Sequence, residues 1–400
     1  MLPTPTAPRR RDDDEAPRGL LGWRRAKGQR PWRFFLHHLF GLQLSLFLGF
    51  VCLTGSVATL SHEIEWLLWP EVRADAGGTA VSWGTQWDAA RAAQPQWALQ
   101  GIGRGGSDEE SYLATVVRAR DAAGADARIY VDPTSGRVQG QASGVSFHAF
   151  MRGLHYYLFV PSSLMFYAVT SLGVVMLGSL VTGLLVYRKF WRGFLRWPRW
   201  DAPPRVVWGD VHRLAGLWST WFVAVIALTS VWYLLEHAGL DWEQPTPALA
   251  RPLAPAERVA PDGAAIDRWV AAARRELPGL RVTAVYLPFG ARGPVTVQGQ
   301  RDAWLVRERS NAVFIDPRDG RVLGVRDAQA IGAAERWAHT ADPLHFGNFG
   351  GLAVKLLWAA FGLLLCALAL SGAVIHAKRS VKLVREQRLA AAIAEAREAA

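Results

Sequence analysis

Arg33 to Leu60 reads RFFLHHLFGLQLSLFLGFVCLTGSVATL, and Val211 to Trp232 reads VHRLAGLWSTWFVAVIALTSVW. Laid over each other, the two stretches share a histidine, a glycine four residues on and a threonine seventeen residues on: His37, Gly41 and Thr54 against His212, Gly216 and Thr229. Each is apolar and long enough to cross a bilayer, with its histidine about one turn inside a basic end. A histidine placed there twice reads as half of a cofactor site built by duplication.

Four windows carry almost no charge, from Phe34 to Leu60, Leu164 to Tyr187, Val211 to Leu235 and Leu352 to Ile375. Their pattern predicts an α-helical membrane protein, a four-helix bundle with spans over 33–62, 155–188, 208–236 and 350–377. The second and fourth spans are rich in small residues (Gly173, Gly178, Gly183; Gly362, Ala367, Gly372), which permit close helix contact in lipid. Residues 1–30 are Pro-rich and charged and read as a disordered tail. Residues 378–400 read as a helical cytoplasmic tail.

The net charge of +11 would suggest nucleic acid in a soluble chain, but the cations flank the spans. Arg24, Arg25, Lys27, Arg30 and Arg33 precede the first span, and Arg188, Lys189, Arg192, Arg196 and Arg199 follow the second. Lys378, Arg379, Lys382 and Arg385 follow the fourth. Such flanks stay cytoplasmic, so both termini and the loop 189–207 are placed inside and segments 63–150 and 237–345 outside. The excess is a topology signal facing anionic headgroups, and nucleic acid is not the expected partner. Two cysteines, Cys52 and Cys366, both within spans, leave no disulfide framework, CxxC zinc site or CxxCH haem attachment. The first apolar run is too long for a cleaved signal and reads as an anchor.

The two outer segments repeat each other. A helix is expected over Ser82–Trp97, capped by Ser82, and another over Gly263–Leu280. Strands follow at Ser111–Arg120 and Arg128–Gln141 in the first, and at Arg281–Leu287 and Pro294–Gln300 in the second. YVDPTSGRV from Tyr130 and FIDPRDGRV from Phe314 are the same hairpin. Gly101-Ile-Gly-Arg-Gly-Gly106 satisfies a dinucleotide-binding pattern but lacks the strand–turn–helix context, and is read as a loop. The chain is therefore a tandem duplication, each half being helix, outer α+β domain, helix.

This arrangement resembles the PepSY-associated transmembrane family over roughly residues 31–380. The resemblance rests on the paired H-x-x-x-G spans, the two DP-x-x-G-R-V hairpins, and the Leu154-His155 and Leu344-His345 pairs that precede spans two and four. It implies two periplasmic PepSY-like domains on a bacterial inner-membrane anchor. In some members it also implies haem b and the reduction of ferric siderophores.

Depth sorts the histidines. His37 and His212 fall near the inner face, and His155 and His345 near the outer face, one per repeat in each layer. That is the pattern of two bis-imidazole haems, with layers roughly 20–30 Å apart by helical rise. Gly41 and Gly216, one turn beyond their histidines, would let a porphyrin approach. Phe47, Phe50, Trp221 and Phe222 fall between the layers. His376 is the substitute ligand should His37 or His212 not serve. Lys355 is read either as snorkelling to headgroups or as pairing with a haem propionate, and Arg152 and Arg213 as propionate partners.

The expected activity is a di-haem oxidoreductase passing electrons to a ferric siderophore or other ferric chelate on a shallow periplasmic platform. No flavin or nucleotide motif is present, so a separate donor is expected, a cytoplasmic flavoprotein or quinol. Two rivals remain, a haem-free scaffold that binds a periplasmic partner or protease and a transporter component for the intact chelate.

Overall fold

A computed structural model describes positions 36, 37, 39, 40 and 44–398, except 76, 108, 109, 188, 189, 259 and 260. His38, Gly41 and the expected tail at 1–30 lie outside the described residues. Helix α1 (Ser45–Thr59) runs into α2 (Ser61–Leu68) through a bend of 54°. Next come α3 (Trp83–Ala93) and strands β1 (Ala98–Arg104), β2 (Thr115–Arg120), β3 (Asp126–Val131) and β4 (Val138–Ser143). A short helix α4 (Phe147–Tyr157) precedes α5 (Ser163–Thr170) and α6 (Leu172–Val186), and the next pair is α7 (Pro204–Trp218) and α8 (Thr220–His237). The second half continues with α9 (Gly263–Glu276), β5 (Arg281–Tyr286), β6 (Val295–Gln300), β7 (Asn311–Ile315), β8 (Val322–Arg326), α10 (Ala333–Phe346) and α11 (Gly351–Glu398).

Three stretches are long and apolar enough to cross a membrane: Ser163–Val186, Thr220–His237 and Gly351–Ile375. The bent pair α1–α2 makes a fourth if it is one span. Small residues set the helix contacts, as their positions predict. A Cβ on Gly173 in α6 would come within 2.7 Å of Ser230 Cβ in α8, and one on Gly362 in α11 would run into Ser56 Oγ of α1.

His155 does not sit at the start of a continuous span, as 155–188 implied. His155 is on α4, which stops where Leu158 and Phe159 take left-handed backbone (φ 50° and 64°) ahead of Pro161. His345 is on α10, ended by Gly347 at φ 69°. Two helices outside the apolar stretches thereby carry the two histidines.

The strands also depart from expectation. Instead of two separate outer modules, all eight form one antiparallel sheet in the order β4-β3-β2-β1-β5-β6-β7-β8. The halves join at β1 and β5, where Ile102 stands opposite Val285. Gly101 and Gly103, read as part of a loop, belong to β1. A Cβ on Gly101 would come within 2.8 Å of Val285 O, and one on Gly103 within 3.0 Å of the Ala284 Cβ. Glycine is what lets the halves meet there, and its low strand propensity hid the strand.

One face of the sheet is dry. Ile102, Val117, Ile129, Val285, Val297 and Ile315 pack there against Trp87 of α3 and Ile266 of α9. Each such side chain contributes about 1.5–3 kcal/mol by burial. Ser82 caps α3 as its sequence predicts, accepting from Thr85 N at 3.1 Å, and Asp262 caps α9. Gly136 and Gly320, at φ 71° and 74°, close the two DP-x-x-G hairpins, with Asp132 and Asp316 accepting from backbone N–H groups inside each turn. The opposite face carries Gly103, Thr283, Ala284 and Gln298 and looks onto the helices across a cavity.

Candidate functional site

The structure brings the four histidines together in the two predicted pairs. His37 and His212 have ring centroids 6.5 Å apart with planes at 74°, and His155 and His345 have centroids 6.4 Å apart with planes at 48°. An ion held between two opposed imidazoles at metal–nitrogen distances of about 2 Å separates the centroids by about 6 Å.

The hydrogen bonds fix the tautomer of each ring. His37 Nδ1 lies 3.1 Å from Ser179 O, and His155 Nδ1 lies 3.1 Å from Val51 O. A carbonyl only accepts, so Nδ1 carries the proton in both. His212 Nδ1 lies 2.8 Å from Ser371 Oγ, which donates its own proton to Leu368 O at 2.8 Å. His345 Nδ1 lies 2.9 Å from Thr229 Oγ1, which donates to Val225 O at 2.8 Å. Both hydroxyls have spent their proton, so they accept, and Nδ1 is again the N–H. All four rings are left with a lone pair at Nε2, the form a metal takes.

Neighbouring helices supply these anchors in repeat-related positions. Thr54 of α1 and Thr229 of α8 hold the pair nearer the sheet, and Thr182 of α6 and Ser371 of α11 hold the other. A glycine follows three of the four. A Cβ on Gly55 would reach 2.8 Å from His155 Cε1, on Gly183 3.3 Å from His37 Cε1, and on Gly372 3.5 Å from His212 Cε1. Sequence comparison singled out Thr54 and Thr229 as shared without giving them a role. It missed Thr182-Gly183 and Ser371-Gly372, although these align as the same Ser/Thr-Gly step. Gly216 has only Leu368 Cδ1, at 3.8 Å, near where a side chain would stand. Gly41 falls outside the described residues. His376 lies on α11, and its side chain falls outside the description.

The two pairs open differently. His155 and His345 line a cavity of about 960 Å³ under the sheet, with Tyr156 and Tyr233 beside them, whereas His37 and His212 do not reach it. A chamber therefore replaces the shallow platform expected from sequence. Between the pairs, Phe222 packs with Trp221, Trp358 and Phe361, while Phe50 is exposed on the helix surface.

Lys355 takes neither expected role. It is buried and bonds Glu63 at 2.6 Å and also Glu110, which link α11 to α2 and to the loop before β2. Arg213 bonds Asp210 at 2.9 Å, and the Arg152 guanidinium lies 5.1 Å from the Tyr156 ring centroid. His237 packs on Phe166 and Tyr167.

The second half contains a buried charge cluster that the sequence did not reveal. Arg307 meets Glu236 at 3.1 Å and Asp342 at 2.6 Å, and also bonds Glu243 at 2.5 Å, while Tyr233 donates to Asp342 at 2.7 Å. His339 is fully buried between Glu243 at 3.9 Å and Glu335 at 4.0 Å. Burial, only partly offset by Glu243, pushes its imidazole down to about 4.

Residues 34–379 match the family described as PepSY-associated TM region. The chain belongs to that family. As a member of the PepSY-associated family it is a membrane protein, and the apolar helices and the sheet both fall inside the matched region. No curated protein matches the chain.

The donor set tests what this PepSY-associated protein could hold. Among the described residues no group of three or more His, Cys, Asp or Glu side chains is arranged for a metal ion. A porphyrin supplies four nitrogens of its own, so two opposed imidazoles complete its iron. The pairs fit haem in number, spacing and tautomer.

Proposed function

We propose that the protein is a di-haem electron-transfer protein of a bacterial inner membrane that reduces a periplasmic ferric chelate, a ferric siderophore foremost. Both termini are then cytoplasmic and the sheet periplasmic, as the flanking cations direct. One observation carries the reading: two imidazole pairs from opposite repeats, each with Nδ1–H engaged and Nε2 free, at centroid spacings of 6.5 and 6.4 Å. His37 and His212 would hold the inner haem b, and His155 and His345 the outer one. Bound haem supplies reversible one-electron exchange.

The chain does the rest. Thr54, Thr229, Thr182 and Ser371 orient the rings. The sheet roofs the chamber beside the outer pair, and Arg118 and Arg152 on its wall suit a chelate with anionic oxygen donors. Electrons come from a separate cytoplasmic flavoprotein or quinol.

Haem per polypeptide, measured as the pyridine complex, tests the assignment on wild type and on His37→Ala, His155→Ala, His212→Ala and His345→Ala. About two haems are expected in wild type and about one in each variant. Unchanged content in all four variants would end the ligand assignment. A wild type without a Soret band would leave the haem-free scaffold.

A further inference from the structure

Two histidines on the chamber wall have no part in the ligand pairs. His62 of α2 and His148 of α4 stack with centroids 4.0 Å apart and planes 17° from parallel, and both line the chamber. Ser61 donates its hydroxyl proton to Ala58 O at 2.6 Å, so it accepts from His148 Nδ1 at 2.7 Å. His148 therefore keeps its lone pair at Nε2. Glu65 ties the two together, accepting from the His148 backbone N at 2.8 Å and facing His62 Nδ1 at 3.8 Å.

The charges around the stack come from every side. Glu63 and Glu65 stand on α2, Glu110 in the loop before β2, Lys355 on α11, Arg118 on β2 and Arg152 on α4. Lys355 is already engaged by Glu63 and Glu110. Burial raises Glu110, but His62 and Lys355 outweigh it and keep the carboxyl below its ordinary range. Burial, then His62, Arg152, Lys355 and Arg118, push His148 down to about 2. Two stacked imidazoles this close hold at most one proton between them, and His62 is the ring with a carboxylate, Glu65, facing its Nδ1.

We propose that His62 is the general acid of the chamber, giving its ring proton to an oxygen donor of the ferric chelate as the iron is reduced. This rests on the reductase reading. With haem held by His155 and His345, one electron would take the chelate's Fe(III) to Fe(II), whose lower charge weakens its bonds to anionic oxygen. An Fe–O bond breaks, the freed oxygen takes the His62 proton, and the chelate cannot close again on the metal. His62 is left neutral and regains a proton from water on the Glu65 side.

The test compares two acceptors on full-length protein in nanodiscs, reduced with dithionite and mixed rapidly without oxygen. Ferric acetohydroxamate releases oxygen donors that need protons. Ferricyanide keeps its ligands and needs none. His62→Gln is expected to slow reoxidation by the hydroxamate chelate about tenfold at pH 6, with ferricyanide rates and haem content unchanged. A second readout needs no electron transfer: gallium(III) acetohydroxamate, which is redox-inert, should protect His62 from carbethoxylation as read by mass spectrometry. An unchanged chelate rate in His62→Gln, equal slowing of both acceptors, or no protection by the gallium chelate would each overturn the general acid and leave the haem reading standing. A wild type that shows no Soret band, or that ferricyanide does not reoxidise, would instead overturn the reading beneath it.

Discussion

The two imidazole pairs have nearly the same spacing and the same tautomer, yet only His155 and His345 line the chamber of about 960 Å³. Ligand geometry therefore follows from the duplicated spans, through Ser and Thr hydroxyls that sit at matching positions. Access follows from something else, the detachment of α4 and α10 from the spans behind them. Those short helices end in left-handed turns, and they carry His155 and His345 to the wall of the chamber.

The largest difference between the pairs should appear under the rings. Gly55→Ala places a methyl 2.8 Å from His155 Cε1, closer than packing allows, while Gly183→Ala leaves 3.3 Å to His37 Cε1. Gly55→Ala is expected to lose the outer haem, about half of the total, and Gly183→Ala to keep most of both. Haem per polypeptide decides it, and equal losses would show that the pairs are not held differently.

Removing the hydroxyl anchors comes next. Thr229→Val deprives His345 Nδ1 of its acceptor and should weaken haem retention by about 10–100-fold. Thr54→Val should cost less, because Val51 O still accepts from His155 at 3.1 Å. Haem transfer to an apo-globin acceptor measures both, and a reversed order would break the tautomer argument.

How much of this was legible in the chain depends on what kind of signal each part leaves. The spans and the four histidines were readable because apolar length, a repeated H-x-x-x-G and a repeated Leu-His survive without any tertiary information. The Asp132 and Asp316 turns were readable for the same reason, being local. Strand β1 was not, since Gly101 and Gly103 serve a contact with β5 more than 180 residues away. Lys355 was misjudged because a lone lysine in a span says nothing of Glu63 and Glu110, which come from other elements. Thr182 and Ser371 were visible as a repeat but mute as to role until a histidine from another helix was set against them.

The halves also differ in how they bury a histidine, and pH should expose it. His148 has Ser61 and the His62 ring as partners, whereas His339 has no hydrogen bond at either nitrogen. The folded state holds His339 down to about 4 against an ordinary value near 6.5. Between those values the unfolded chain binds a proton that the native one does not, so stability rises with pH there. It is complete above about pH 6.5, falls as pH drops toward about 4, and levels off below, a loss of about 1–3 kcal/mol. Glu243, kept at about 2 because Arg309 and Arg307 outweigh the effect of burial, adds its own loss only at lower pH. Thermal unfolding of His339→Gln should show a shallower decline between about pH 6.5 and 4 than wild type, the remainder belonging to groups such as His148. An identical slope in both would place that pH sensitivity elsewhere.

The smallest expected effect lies where the two halves are most alike. Asp88 of α3 accepts from Gly263 N at 2.9 Å, and Asp267 of α9 accepts from Gly84 N at 2.8 Å, so each helix satisfies the first turn of its counterpart. Asp267 also accepts from Ser82 Oγ at 2.7 Å, itself the cap of α3, whereas the further partner of Asp88 is the exposed Arg91 at 3.1 Å. Losing an N-terminal acceptor of this kind costs about 1 kcal/mol. Asp267→Ala should therefore lower the unfolding midpoint of the sheet somewhat more than Asp88→Ala. The double variant should fall short of additivity, because both carboxylates hold the same helix-to-helix contact. Strict additivity in the unfolding midpoints would mean that α3 and α9 are stabilised separately and that the sheet, not the reciprocal capping, joins the halves.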